Sequence, residues 1–218
     1  MRVGAHRHRR VKTDIRRWPQ VAPRPVDLIP AIGVDDKLFG MEKMQAHRSG
    51  QLHLAVSVFL FCGDEMLIQR RAIGKYHCGG LWANSCCTHP HWGETLAAAA
   101  RRRMWEELGV WLRLSAGSTL TYRARVGKGL IEHERVQLFR AEADKTKLHL
   151  VPDPNEVMET VWITRQALLD SMAQRPQDYA PWFRIYVSRW DELGLATYPI
   201  RPRTHRARAQ HPQPGAAE

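Results

Sequence analysis

Residues 52–62 (LHLAVSVFLFC) form an uninterrupted apolar run, rich in Val, Leu and Phe and free of Lys, Arg, Asp and Glu. Such a run has the length and β-branched content of a strand buried inside a sheet. No apolar run in the chain approaches the roughly 20 residues that span a bilayer, which excludes an integral membrane protein. The neighbouring segments read as further strands. Gly63-Asp64 turns the chain into a second strand at 65–70, and two short strands at 26–34 and 35–44 surround an Asp-Asp turn. A Gly-rich stretch at 76–82 leads into a short strand and the segment NSCCTHP (84–90). Strands are expected near 118–126 and 130–142 around a Gly-Lys-Gly turn, with a last one at 161–163. The Ala-rich segment 95–108, closed by Gly109, predicts the best helix, and further helices fall near 164–172 and 182–193. Strands outnumber helices and are mostly joined by turns, so the fold class is α+β with a mixed sheet. With no internal repeat and no second core, one compact domain is expected over 26–195.

The charge belongs mostly to the ends. The chain carries 33 Lys and Arg against 22 Asp and Glu, a net +11. Residues 1–25 hold eight basic side chains and one acid, and residues 201–218 hold four and one, leaving 26–200 at +1. The ends are also rich in Pro, Gln and His and read as disordered basic tails, 1–25 and 196–218, with only weak, salt-sensitive affinity for polyanions. A specific nucleic-acid binder is therefore not expected. The N-terminal segment has no apolar core of a secretory signal. The four cysteines form no CxxC pair and no disulfide scaffold. A cytoplasmic, monomeric protein is the expectation.

Several clusters could carry chemistry, each with a plain structural alternative. In an extended Cys86-Cys87-Thr88-His89 segment, Cys87 and His89 share a face, which puts Cys86 in the core and presents Cys87. Taken alone, such a cysteine is better explained as an inert buried thiol. Glu132 and Glu134 alternate along a strand, with His133 opposite. Two carboxylates side by side repel unless a proton or cation lies between them; a solvated sheet face is the alternative. His47, His53 and His89 would complete a mixed nitrogen and oxygen shell for Mn²⁺, Zn²⁺ or Mg²⁺, although a chain with 11 histidines can offer three by chance. Glu106 and Glu107 oppose the dipole at the end of the 95–108 helix, a cost that a bound Mg²⁺ would reverse. Lys43, Arg70, Arg71 and Lys75 suit a phosphate group or an ordinary surface.

Together these segments resemble the type I isopentenyl-diphosphate Δ-isomerases, a branch of the Nudix fold. The likeness runs through EKMQAH (42–47), LHLAVS (52–57), QRRAIGKYHCGGLWANSCCTHP (69–90), RRMWEELG (102–109), YRARVGKGLIEHE (122–134), DPNEVMETVW (153–162) and PWF (181–183). It implies a Nudix-like α/β/α sandwich with a mixed central sheet. By the resemblance, His47, His53, His89, Glu132 and Glu134 hold a metal. Glu107 and the Cys87 carbonyl hold a second, substrate-linked Mg²⁺. Lys43, Arg71, Lys75 and Arg103 bind the diphosphate. The thiol of Cys87 and the carboxylate of Glu134 act on the substrate, with Tyr122 and Trp182 beside them.

The implied reaction interconverts isopentenyl and dimethylallyl diphosphate by a 1,3-allylic proton shift through a tertiary carbocation. An acid and a base on opposite sides of a flat substrate suit this chemistry, and Cys87 and Glu134 are expected on facing strands. The indole of Trp182 would stabilise the cation. The chain departs from the family at Cys78-Gly79-Gly80, where a rigid proline is usual and a looser turn is expected. A Nudix pyrophosphohydrolase is the competing enzyme. Its Nudix box would carry a Glu where this chain has Arg103, and a leading Gly where it has Thr88.

Overall fold

The apolar run becomes the strand around which the domain is built. In the computed structural model, which describes residues 27–195, this strand, β3 (His53–Cys62), is hydrogen-bonded along both edges. One edge carries β8 (Ile131–Glu142) in parallel, from His53 opposite Glu134 to Phe61 opposite Glu142. The other edge is shared by three antiparallel strands in succession: β1 (Leu28–Ile32), β6 (Cys86–Thr88) and β4 (Glu65–Arg71). Outward from these, β1 pairs with β2 (Leu38–Glu42), and β8 with β7 (Ser115–Arg125). β4 pairs with both β5 (Trp82–Ala83) and β9 (Val157–Thr164). β3 and β4 separate beyond their hairpin, and Ser85 bridges the gap. Its hydroxyl accepts from Leu60 N and donates to Leu67 O. The basic tails expected at 1–25 and 196–218 lie outside the described residues.

Alternation along β3 gives the sheet two different faces. Val56, Val58 and Leu60 pack against α2 (Leu96–Leu108) through Ala99, Ala100, Met104 and Leu108. Ala55, Phe59 and Phe61 pack on the opposite face, which is covered by α3 (Arg165–Gln174) and α4 (Pro181–Ser188). The result is the α/β/α sandwich that the resemblance implies. α2 starts where the Thr95 hydroxyl accepts from Ala98 N, and ends at Gly109 with φ +68°. A side chain on Gly109 would lie 2.9 Å from Val151 O, so close approach as well as the left-handed turn demands glycine there. Each fully buried Leu or Phe contributes about 1.5–3 kcal/mol, so these apolar layers offset the cost of the polar groups buried between them.

The element boundaries differ from the sequence reading in one place that matters. The strand expected over 35–44 ends at Glu42, and a helix, α1 (Lys43–Ser49), follows. The Glu42 carboxylate caps it, accepting from Met44 N at 2.8 Å and Gln45 N at 2.6 Å. Glutamate is not a favoured cap, so the helix start carries no strong signal in the sequence. Elsewhere β9 is longer than the expected 161–163, because it pairs with the whole of β4. α4 stops at Ser188 rather than 193.

Candidate active site

α1, β3, β6 and β8 bring their polar side chains to one buried place. His47 reaches it from α1, His53 from the start of β3, His89 from the end of β6, and Glu132 and Glu134 from alternate positions of β8; all five are buried. His133, between the two glutamates, points away and lies 3.0 Å from Gly50 O. His47 Nδ1 lies 2.6 Å from Lys43 O and His53 Nδ1 lies 2.7 Å from Gln51 O. An imidazole that donates through Nδ1 to a carbonyl turns the lone pair of its Nε2 inward. Glu132 Oε2 lies 3.1 Å from His47 Nε2, and Glu134 Oε1 lies 2.8 Å from His89 Nε2.

Four residues, His47, His53, His89 and Glu132, bring one ligand atom each to within 4.8 Å of one another. The donor set fits a divalent cation. His47 Nε2 and Glu132 Oε2 are buried without a hydrogen-bond partner among the described residues, and an ion between them would satisfy both. Burial works to raise the pKa of Glu132, but contacts with His47, His53, His77 and His89 outweigh it and hold the carboxyl well below its ordinary range.

Cys87 stands farther along the same face. Cys86 is buried under α2, while Cys87, its neighbour, opens onto the cavity. Burial pushes the Cys87 thiol up to about 12, against the lowering effect of the Ser57 contact, so at neutral pH it carries its proton. That proton is donated to Asn84 Oδ1 at 2.9 Å, and the Ser57 hydroxyl lies 3.2 Å from the sulfur. Asn84 is itself fixed by donating to Val58 O and Cys86 O, both at 3.0 Å. Tyr122, on β7, donates to Glu134 Oε2 at 2.5 Å; burial and the nearby carboxylate push its pKa well up, so it remains the donor. Cys87 and Glu134 do not lie on facing strands as expected. β6 and β8 flank β3 within one sheet, and period-two register gives both side chains the same face.

A cavity of about 330 Å³ opens over these groups and is lined by Cys87, Glu132, Glu134, Tyr122 and Trp182. Lys43, Arg71, Lys75 and Arg103 also line it, so the expected cations converge on it; His47, His53 and Glu107 do not reach its lining. Arg70 turns away to Gly80 O. Arg71 is nearly buried and lies 5.2 Å over the Trp182 ring. Lys43 lies 5.0 Å over Tyr76, with its pKa lowered by burial. Arg103 donates to Glu107 Oε1 at 2.5 Å and to Glu156 Oε2 at 2.8 Å, and Lys75 also pairs with Glu156. Gln69 Nε2 donates to the other oxygen of Glu107 at 2.7 Å.

Comparison with known proteins decides the family. A Nudix domain is matched over residues 51–183. The "Isopentenyl-diphosphate Delta-isomerase" of Cereibacter sphaeroides is 48% identical over 163 residues, covering 74% of this chain and 91% of that protein. The protein of the same name from Roseobacter denitrificans is 51% identical over 161 residues, covering 73% and 90%. The chain belongs to the isopentenyl-diphosphate Delta-isomerase family of Nudix-domain proteins. Among solved structures, DR0079 from Deinococcus radiodurans matches with a TM-score of 0.61 at 18% identity, covering 74% of this chain and 98% of that one. The Nudix hydrolase RenU of M. smegmatis matches with a TM-score of 0.53 at 21% identity, covering 80% and 98%. At such identities these two likenesses speak for the Nudix fold alone.

In and beside this isomerase-family cavity the sequence reading missed four polar groups, of which His77 and Tyr186 line it. Ser57 had a usable signal, since it shares the face of β3 that holds His53. Tyr186 follows Trp182 by one helical turn on α4, and its hydroxyl lies 3.0 Å from Ser57 Oγ. Asn84 sits in a turn-like run that gives no hint of a thiol partner. His77 lies on the turn after β4, nearly buried, with Nε2 2.6 Å from Glu132 Oε1. The looser turn expected at Cys78-Gly79-Gly80 is closely packed in the structure. A side chain on Gly79 would lie 2.4 Å from Ile73 O. Among the described residues no helix is long and apolar enough to cross a membrane.

Proposed function

We propose that this chain interconverts isopentenyl diphosphate and dimethylallyl diphosphate, with Cys87 and Glu134 moving the protons. The observation that carries the roles is one cavity lined by a protonated thiol, a carboxylate that accepts from Tyr122, and a cluster of cations. Lys43, Arg71, Lys75 and Arg103 are positioned to bind the diphosphate, and Arg71 is braced against Trp182. The five-carbon chain would then lie between Cys87 and Glu134, where one group adds a proton to the alkene and the other removes one two carbons away. The reaction runs in both directions, so the group that donates in one accepts in the other. Trp182 offers a π face to the tertiary cation and excludes water that would trap it.

His47, His53, His89, Glu132 and Glu134 would hold the resident divalent ion. Three imidazoles favour Mn²⁺ or Zn²⁺ over Mg²⁺, which prefers oxygen ligands. That ion would fix Glu134 and tune its proton affinity. Glu107 and the Cys87 carbonyl would hold a Mg²⁺ that arrives with the diphosphate. The domain boundary we propose is 26–195, with the tails outside the catalytic unit. Arg103 is engaged with Glu107 where a hydrolase of the superfamily has a free carboxylate, which supports an intact diphosphate. The test is incubation with isopentenyl diphosphate and Mg²⁺ in deuterated water. Deuterium should enter the carbon chain with no release of phosphate; phosphate release without exchange would sink the isomerase reading.

A further inference from the structure

His77 is the one imidazole of the buried cluster to which the proposed mechanism gives no task. Its surroundings hold it firmly. The ring stands edge-on to Tyr76, centroids 4.2 Å apart, and to Trp182 at 5.5 Å. Its carbonyl accepts from Arg71 Nη2 at 3.3 Å. The turn that carries it is closed by Gly79, packed against Ile73 O. Its Nε2 approaches Glu132 Oε1 to 2.6 Å, yet neither ring nitrogen completes a hydrogen bond among the described residues. A buried imidazole left in that state has a cost unless something nearby gives it a partner.

The two oxygens of Glu132 face different neighbours. Oε2 looks toward His47 at 3.1 Å, His53 at 3.7 Å and His89 at 3.8 Å, the nitrogens that converge with it. Oε1 looks the other way, to His77. His77 is not among the four residues whose ligand atoms lie within 4.8 Å of one another, and it meets Glu132 on Oε1, the oxygen turned away from the other three imidazoles.

We propose that His77 is a positioning residue for the metal centre: when an ion takes the inner oxygen of Glu132, the 2.6 Å contact of His77 Nε2 with the outer oxygen closes into a hydrogen bond that holds it, so that this carboxylate offers the ion one oxygen rather than two. This rests on the reading that the cluster binds a divalent ion. A carboxylate fixed by its outer oxygen cannot swing to chelate, and a coordination position is kept for water or for a shift of Glu134. The same residue holds Arg71 through its carbonyl, so the metal centre and the diphosphate cations share one rigid turn.

The test uses the full chain, stripped of metal and titrated with Mn²⁺ alone, with affinity read by calorimetry and the ligand set by nitrogen hyperfine coupling of the bound ion. His77→Phe keeps the aromatic packing and removes the donor; His77→Gln supplies an amide N–H near the position of Nε2. His77→Phe and His77→Ala should weaken Mn²⁺ binding by about 10–100-fold, with His77→Gln recovering most of it. All four proteins should show the same three coupled imidazoles. Loss of one coupled nitrogen in His77→Phe would make His77 a ligand and overturn the inference. An affinity unchanged in His77→Phe and His77→Ala overturns it as well. If the unmodified chain itself shows no coupled imidazole, the metal reading fails, and this inference with it.

Discussion

The site contains two charged clusters that solve the same problem in opposite ways. On the α4 face of the sheet, His47, His53, His77, His89, Glu132 and Glu134 lie together, with several ring nitrogens and one carboxylate oxygen lacking hydrogen-bond partners among the described residues. On the α2 face, Arg102 and Arg103 give Glu94, Glu106, Glu107 and Glu156 close charged partners, and Lys75 adds another to Glu156. The second cluster can fold as it is, because its cations are side chains. The first brings together ligand atoms that a cation from outside would satisfy. The contrast bears on the proposed metal roles: Glu132 Oε2 has no hydrogen-bond partner among the described residues, whereas Glu107 is held by Arg103 and Gln69 and would need release before it met an ion. A diphosphate that draws Arg103 to itself would make that release part of substrate binding.

Cys87 stands where the clusters meet. After burial and the Ser57 contact, Glu134 on one side and Glu107 on the other both push its pKa up. Removing the thiol should therefore separate chemistry from binding. We expect Cys87→Ala to lower kcat by about 10²–10⁴-fold with KM nearly unchanged, measured by deuterium exchange into isopentenyl diphosphate. Substantial turnover in this variant would refute the role of the thiol. A rise in KM alone would move Cys87 from the chemistry to the diphosphate site.

The next effect compares the clusters directly. An ion bound only by the folded state at about 100 times its Kd stabilises by about 2.7 kcal/mol. For a domain of this size that raises Tm by roughly 5–10 °C. We expect Mn²⁺ to produce such a shift in the unmodified protein and a chelator to reverse it, followed by circular dichroism. Glu132→Gln should lose the shift, since it removes the carboxylate that converges with the three imidazoles. Glu107→Gln should keep it. Equal loss in the two variants would mean that the clusters bind one ion between them, and the contrast would fall.

The fold was legible wherever a pattern is local. The buried strand β3, the α2 helix with its Gly109 stop, and the alternation that sends Glu132 and Glu134 one way and His133 the other all follow from spacing of two or 3.6 residues. The split between Cys86 and Cys87 has the same origin. What escaped depends on pairing across the sheet. Period-two logic says which face Cys87 and Glu134 share, but not that their strands flank β3 instead of facing each other, because register comes from partners remote in sequence. α1 was hidden by a Glu cap. His77 was hidden by sitting on a turn, where no periodicity tells which way a side chain points. The paired state of Glu107 could not be read either. Arg103 at a spacing of four suggests a partner, but Gln69 and Glu156, which complete the cluster, come from other strands and loops.

The smallest effect tests whether the arginine cluster is one unit or a gradient along α2. Arg102 lies at its outer end, with both ends of its guanidinium on Glu94 at 2.8 Å and a longer contact to the half-exposed Glu106 at 3.1 Å. Arg103 lies at the inner end, against the buried Glu107, and burial is outweighed by Glu107 and Glu156, which raise its pKa further. Charged hydrogen bonds of the inner kind carry about 1.5–3 kcal/mol, so Arg103→Ala should cost about 10–150-fold in kcat/KM, mostly through KM. Partly exposed pairs carry about 0.2–1 kcal/mol, so Arg102→Ala should cost less than about fivefold and appear mainly as a Tm lower by a few degrees. Steady-state kinetics with isopentenyl diphosphate, beside thermal melts, separates the two. If Arg102→Ala falls as far as Arg103→Ala, the diphosphate is gripped by the whole helix face. Its pairing with the buried Glu107 would then not set Arg103 apart from Arg102.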